Sequence, residues 1–282
     1  MKTTLASADT KTLDVAGSAF LYREIGDVTG IPVILLTHLT GVLDDWDPAI
    51  VDGIANQHRA IIFDNRGVGG SAGNTPNNIS DMARDAIAFI DALGLTTVDL
   101  LGFSLGGFIS QLIVRDRPDL VRRVILAGAG PAGGEGIGKM GSVVKQALER
   151  AAAENRHPKQ ILFFSQSARS QHAAADFLGR LSSRQHNRDL EVSNEAVCAQ
   201  IAAITSWGND AGVGPALHTI KQPILVANGD NDVMVPTSNS IALFRALPNA
   251  ELSIFPDAGH GGIFQYHREF VSQALQFYGR QQ

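Results

Sequence analysis

Six short runs in this chain are apolar on both faces, at residues 32–37, 60–64, 98–103, 124–127, 224–228 and 251–255. A strand wetted on one side alternates apolar with polar residues. One without that alternation has to be covered on both sides, as the strands of a parallel sheet are. Between the runs lie segments at helical spacing, 80–93, 105–116, 238–247 and 268–278, the first with Asp81 and Asp85 in its opening turns. Strand–helix alternation with right-handed crossovers specifies a doubly wound, mostly parallel α/β sheet. Two earlier stretches, 11–15 and 19–24, predict an antiparallel hairpin turning at Ala16-Gly17.

The alternation stops between Pro131 and His218. Glycine-rich AGPAGGEGIGKMG leads into helical patterns at 142–154, 159–168, 171–183 and 193–207, and GNDAGVGPAL closes the segment. We therefore expect a core domain of residues 1–130 and 217–282 carrying a helical cap of residues 131–216, of the kind that roofs a pocket. With 282 residues, 44% of them hydrophobic, the chain can bury such a core. Its net charge of −5 and lack of a dense basic run argue against nucleic acid or anionic membrane as partners. The single cysteine, Cys198, excludes an internal disulfide and reads as an apolar filler on a helix. The N-terminus shows no apolar signal core and no run reaches the length of a membrane span, so the expected location is cytoplasmic.

Strand 98–103 and the helix after it are joined through Gly102-Phe103-Ser104-Leu105-Gly106-Gly107. A serine hydroxyl is a poor nucleophile, and an enzyme that uses one must present Oγ clear of the backbone beside a base. Glycines two residues either side of Ser104 leave room for the strand to fold back under the helix. The free N–H groups and positive end of that helix then lie near any negative charge that develops. Open α/β sheets collect ligands at the C-terminal ends of their strands, so partners of Ser104 should follow later strands. Asp230 and Asp232 follow strand 224–228, ahead of Pro236, and His260 follows the last strand, between Gly259 and Gly261. Such a histidine can take the serine proton and return it to a leaving group, while an aspartate holds its tautomer. The residues themselves leave Asp230 and Asp232 both open. His58, His157, His172, His186, His218 and His267 sit in polar segments and read as solvated; no histidine spacing suggests a metal.

Through these motifs the chain resembles the α/β-hydrolase superfamily over nearly its full length. FDNRGVGGSAG at 63–73 is similar to the family's D-x-R-G-x-G-x-S turn, and DDWDP at 44–48 to its segment after the oxyanion loop. The resemblance implies that Ser104 stands on a nucleophile elbow and that acid and base follow in the order Asp, His. It selects Asp232, since family loops of the form G-x-x-D-x-x-x-P carry the acid there, and leaves Asp230 to bond turn backbone. It also implies that the loop opened by His38 supplies an oxyanion N–H beside that of Leu105. The family commonly has His-Gly-x; this chain has His38-Leu39-Thr40-Gly41. Leucine lacks glycine's freedom at positive φ. We expect a reshaped loop in which the N–H of Leu39 or Thr40 faces the oxyanion, with the Thr40 hydroxyl as a further donor and Leu39 reaching the acyl pocket. One such donor is typically worth ~3 kcal/mol of barrier.

The elbow sequence is most like those of small esterases, cofactor-free haloperoxidases with perhydrolase activity, and lactone hydrolases. The expected function is a serine hydrolase that cleaves a small carboxylic ester or lactone through an acyl-enzyme on Ser104, without cofactor or metal. Serine at the elbow sets aside the aspartate-based dehalogenase and epoxide hydrolase reactions. The alternatives are a perhydrolase, a C–C bond hydrolase (disfavoured by Phe103 before the serine) and a slow-turnover, receptor-like binding module. Trp46, Phe108, Phe163, Phe164 and Trp207 are candidates to line an apolar pocket. Oligomeric state is open, a homodimer included.

Overall fold

The computed structural model describes residues 3–26 and 29–280. Its strands are β1 (Lys11–Val15), β2 (Ser18–Ile25), β3 (Val33–Leu36), β4 (Ala60–Phe63), β5 (Val98–Phe103), β6 (Val121–Ala127), β7 (Ile224–Gly229) and β8 (Ala250–Phe255). They form one sheet in the order β1-β2-β4-β3-β5-β6-β7-β8. β1 and β2 pair antiparallel, as do β2 and β4; every later pairing is parallel. The first hairpin turns through Ala16 and Gly17, both at positive φ, which matches the right-handed twist of the strands it joins.

Every residue of β3, β4, β5 and β7 is buried, the outcome that unbroken apolar runs require when helices cover both faces. The helices of the first half are α1 (Pro48–Ile54), α2 (Ile79–Ala92) and α3 (Leu105–Asp116). Between β6 and β7 the chain forms α4 (Met140–Glu154), α5 (Pro158–Leu162), α6 (Ala168–Leu181) and α7 (Asn194–Asn209), with short 3-10 turns and no strand among the described residues. After β7 come α8 (Thr237–Ala246), α9 (Gly262–Gln265) and α10 (His267–Gly279).

The helix expected at 159–168 ends at Leu162. Phe163 and the residues after it leave the helix, and the Phe163 carbonyl accepts the N–H of Gly261, in the loop after β8, at 2.8 Å. Strand β6 starts three residues earlier than the apolar run, since Arg122 hides the pattern while pairing with Asp99 of β5. Cys198, expected as filler, lies on the exposed side of α7.

Candidate active site

Strands β5 to β8 run parallel, so the segments after them emerge at one edge of the sheet. Ser104 is the first residue past β5 and has φ 55 and ψ −116. That conformation is strained for a residue with a Cβ, and it persists only because its surroundings fix it. The Ser104 N–H donates to Ala127 at 2.8 Å, its carbonyl accepts from Gly107 at 2.8 Å, and the Gly106 N–H donates to Thr37 at 2.9 Å. The flanking glycines are steric necessities. A Cβ on Gly106 would fall on the Leu36 carbonyl, and one on Gly102 on the Gly106 carbonyl. The Ser104 Oγ is buried and bonds to no protein group.

His260 and Asp232 meet in the loops after β8 and β7. The His260 Nδ1 lies 2.7 Å from the Asp232 Oδ2, and both side chains are inaccessible to solvent. Because a carboxylate accepts, Nδ1 carries the proton and Nε2 presents its lone pair; no protein group meets that Nε2. The other Asp232 oxygen accepts the N–H groups of Met234, at 2.8 Å, and Val235, at 2.9 Å. Asp230 is exposed and accepts instead from the Ala258 N–H at 3.1 Å. The His260 ring lies 5.0 Å from that of Phe103, the residue before the serine, and 5.6 Å from Phe163. It fits there because Gly128, at φ 55, has no Cβ; an added one would stand 3.0 Å from the His260 ring.

Residues 38–41 form a turn closed by a 3.0 Å bond from the Gly41 N–H to the His38 carbonyl. The positive φ falls on Thr40, at 64°, and not on Leu39. The peptide between Leu39 and Thr40 is held at both ends. His38 Nδ1 lies 2.7 Å from the Leu39 carbonyl, so that nitrogen bears a proton, and the Thr40 N–H donates to the Gln200 Oε1 at 2.8 Å. This corrects one expectation: the Thr40 N–H does not face the serine freely but is taken by a side chain from α7. The Leu105 N–H, at the first position of α3, has no acceptor within its helix. His38 sits between Phe103 and Phe163 with ring separations of 5.6 and 5.2 Å. Burial first, and then the Lys159 ammonium, lower its pKa to about 4, so the ring is neutral at working pH.

Among the pocket candidates, Phe108 and Trp207 are wholly buried and stack on each other at 5.5 Å, with the Trp207 Nε1 donating to the Gly130 carbonyl at 3.3 Å. They pack α7 onto α3. Trp46 is likewise core, and Phe164 packs on Phe177. Leu39 is buried, and Phe163 is the candidate ring that reaches His260. Sequence reasoning missed Gln200, although a signal existed: it is the polar residue on the buried stripe Ala196, Gln200, Ala203, Ile204, Trp207 of α7.

Residues 31–265 match the family model for the alpha/beta hydrolase fold. An alpha/beta hydrolase fold protein from Chitinophaga pinensis is 40% identical and superposes with a TM-score of 0.93, covering 99% of this chain and 100% of that one. A Rhizobium rhizogenes protein provisionally named carbamate hydrolase RutD is 28% identical over 87% of this chain and 91% of its own length. A Mycobacterium tuberculosis protein provisionally named non-heme bromoperoxidase BpoC is 27% identical over 89% and 94%. The strained serine turn, the parallel sheet that carries it and these likenesses agree: the chain belongs to the α/β-hydrolase fold family.

Proposed function

We propose that the protein is a serine hydrolase acting on a small carboxylic ester or lactone through an acyl-enzyme, with Ser104 as nucleophile, His260 as base and acid, and Asp232 as the acid that orients it. One observation carries this reading. The Ser104 hydroxyl, held at a strained strand-to-helix turn, has an unbonded Oγ, and the histidine whose ring lies against Phe103, the residue before it, presents a bare Nε2 because its Nδ1–H is given to a buried aspartate. His260 Nε2 takes the Ser104 proton as Oγ bonds to the carbonyl carbon, and the imidazolium is stabilised by Asp232. The proton then passes to the leaving alcohol, and a water activated by the same nitrogen hydrolyses the acyl-enzyme. The aromatic surroundings of His38, Phe103 and Phe163 support a compact, apolar acyl group.

Turnover of short- and medium-chain p-nitrophenyl esters by wild type and Ser104→Ala tests the reading. A stopped-flow burst and steady turnover, both lost in the variant, are expected. Equal release by both proteins would refute it.

A further inference from the structure

Gln200 is the polar side chain on the buried face of α7, and it is wholly inaccessible to solvent. Its Oε1 accepts the Thr40 N–H at 2.8 Å. Only the oxygen of an amide can accept, so this bond fixes which way the group is turned. The Nε2 thus offers two N–H donors in a buried setting where no protein acceptor meets them. The turn that anchors Gln200 continues from β3, whose end lies directly against the first turn of α3: Gly106 donates to Thr37, and Leu36 closes on the space a Gly106 side chain would need. The anchor is rigid, because His38 holds the other end of the same Leu39–Thr40 peptide. The Thr40 donor has been withdrawn from the loop, and an amide donor stands one side-chain amide away from it.

We propose that Gln200 is a catalytic residue whose Nε2 donates a hydrogen bond to the carbonyl oxygen of the bound substrate, completing with the Leu105 N–H the site that holds the oxyanion. This rests on the serine-hydrolase reading above. When the Ser104 Oγ bonds to the carbonyl carbon, the carbonyl π pair moves onto oxygen and the serine proton goes to His260 Nε2. The new O⁻ accepts from Gln200 and Leu105, and neither gives up its proton. A donor fixed before reaction needs no reorientation as charge develops, which is why side-chain amides serve in such sites.

The test compares wild type, Gln200→Leu, Gln200→Glu and Ser104→Ala. Two rates are followed: hydrolysis of p-nitrophenyl butyrate, and phosphonylation of Ser104 by a fluorophosphonate, read by intact mass. Removing one oxyanion donor lowers kcat by roughly 10²–10³-fold, so Gln200→Leu should lose about that much with KM within threefold, and phosphonylation should slow in parallel. Gln200→Glu keeps the acceptor for the Thr40 N–H but loses the donor until its carboxyl is protonated, whereas Gln200→Leu loses the donor at every pH, so a donor role predicts that only the glutamate variant regains rate in acid. Our assignment predicts a loss as deep as that of the leucine variant at pH 8, with the ratio to wild type recovering as pH falls and the new carboxyl gains an O–H. Gln200→Glu rates within threefold of wild type at pH 8 would overturn the proposal. A faster Gln200→Leu would also overturn it, since Oε1 would then only be blocking an N–H that substrate needs. Should the leucine variant fail to fold, Gln200→Met, which fills the same space without a donor or a charge, takes its place and is expected to show the same loss. If wild-type Ser104 is not labelled, the hydrolase reading itself falls; labelled Ser104 with unaffected Gln200 variants removes this inference alone.

Discussion

Two aspartates two residues apart follow β7, and their surroundings give them different work. Asp232 is buried, accepts two backbone N–H groups on one oxygen and faces His260 with the other. Asp230 is exposed and ties its loop to Ala258. Asp232→Asn should therefore reduce kcat by about 10⁴-fold while leaving KM nearly unchanged, because an amide that donates to Nδ1 stabilises the wrong tautomer. Asp230→Asn should stay within about threefold of wild type, as expected when a replacement retains an accepting oxygen. Steady-state kinetics on the same p-nitrophenyl ester decides, and equal losses in both variants would refute the assignment. The turn at Ser104 and the loops that bring Asp232 to His260 were legible in the sequence because each residue lies in a short local motif after an apolar run. The state of the Thr40 N–H was not. Its acceptor, Gln200, is 160 positions away, and nothing in the His38–Gly41 loop signals a partner on α7.

Strands and helices were legible to the degree that burial controls composition. Buried runs such as Val98–Phe103 admit no polar alternation and so stand out, whereas α1 is seven residues long and too short for a helical period to show. How the helices of 131–216 sit against the sheet was not legible, because beside the Trp207–Phe108 stack several of the contacts are made by charges whose partners are distant. The segment after the His38–Gly41 turn supplies three acids. Asp44 accepts the Asp189 N–H at 2.6 Å, Asp45 meets Lys159 of α5, and Asp47 takes both arms of Arg180 from α6 at 2.8 and 2.6 Å. Asp47 is fully buried and also caps α1 through the Ala49 N–H. Arg180→Met leaves that carboxylate buried without its counter-charge, a change that typically costs about 3–5 kcal/mol. Urea unfolding should show a loss of that order, partly recovered by adding Asp47→Asn, which keeps the cap oxygen without the charge. An unchanged midpoint in Arg180→Met would show that the pair does not anchor α6.

At the scale of the molecule, the edge of the sheet that carries Ser104 and His260 is closed: each is 1% exposed, and His38 is 4% exposed. Enclosure has a thermodynamic signature in acid. The His38 ring, desolvated and facing the Lys159 ammonium, Asp45 and His260, has its pKa lowered from 6.5 to about 4. Below pH 6.5 the unfolded chain takes up a proton at this residue that the folded chain refuses. The stability it contributes is therefore fully present above 6.5 and is lost as pH falls through 4, amounting to about 2 kcal/mol by pH 5. Asp64 works in the opposite sense. Burial and the neighbouring Asp189 raise its pKa well above the usual carboxylate value, so its contribution is present below 3.8 and is lost as pH rises. The two effects are separated by comparing wild type with His38→Gln, in which Asp64 is unchanged and position 38 cannot titrate. From pH 7 to pH 5, wild type should lose about 2 kcal/mol more stability to urea than the variant does, even though the variant starts lower for want of the bond to the Leu39 carbonyl. Equal slopes in the two proteins would mean that His38 takes up a proton in the folded state as readily as in the unfolded chain, and that the site is open to water.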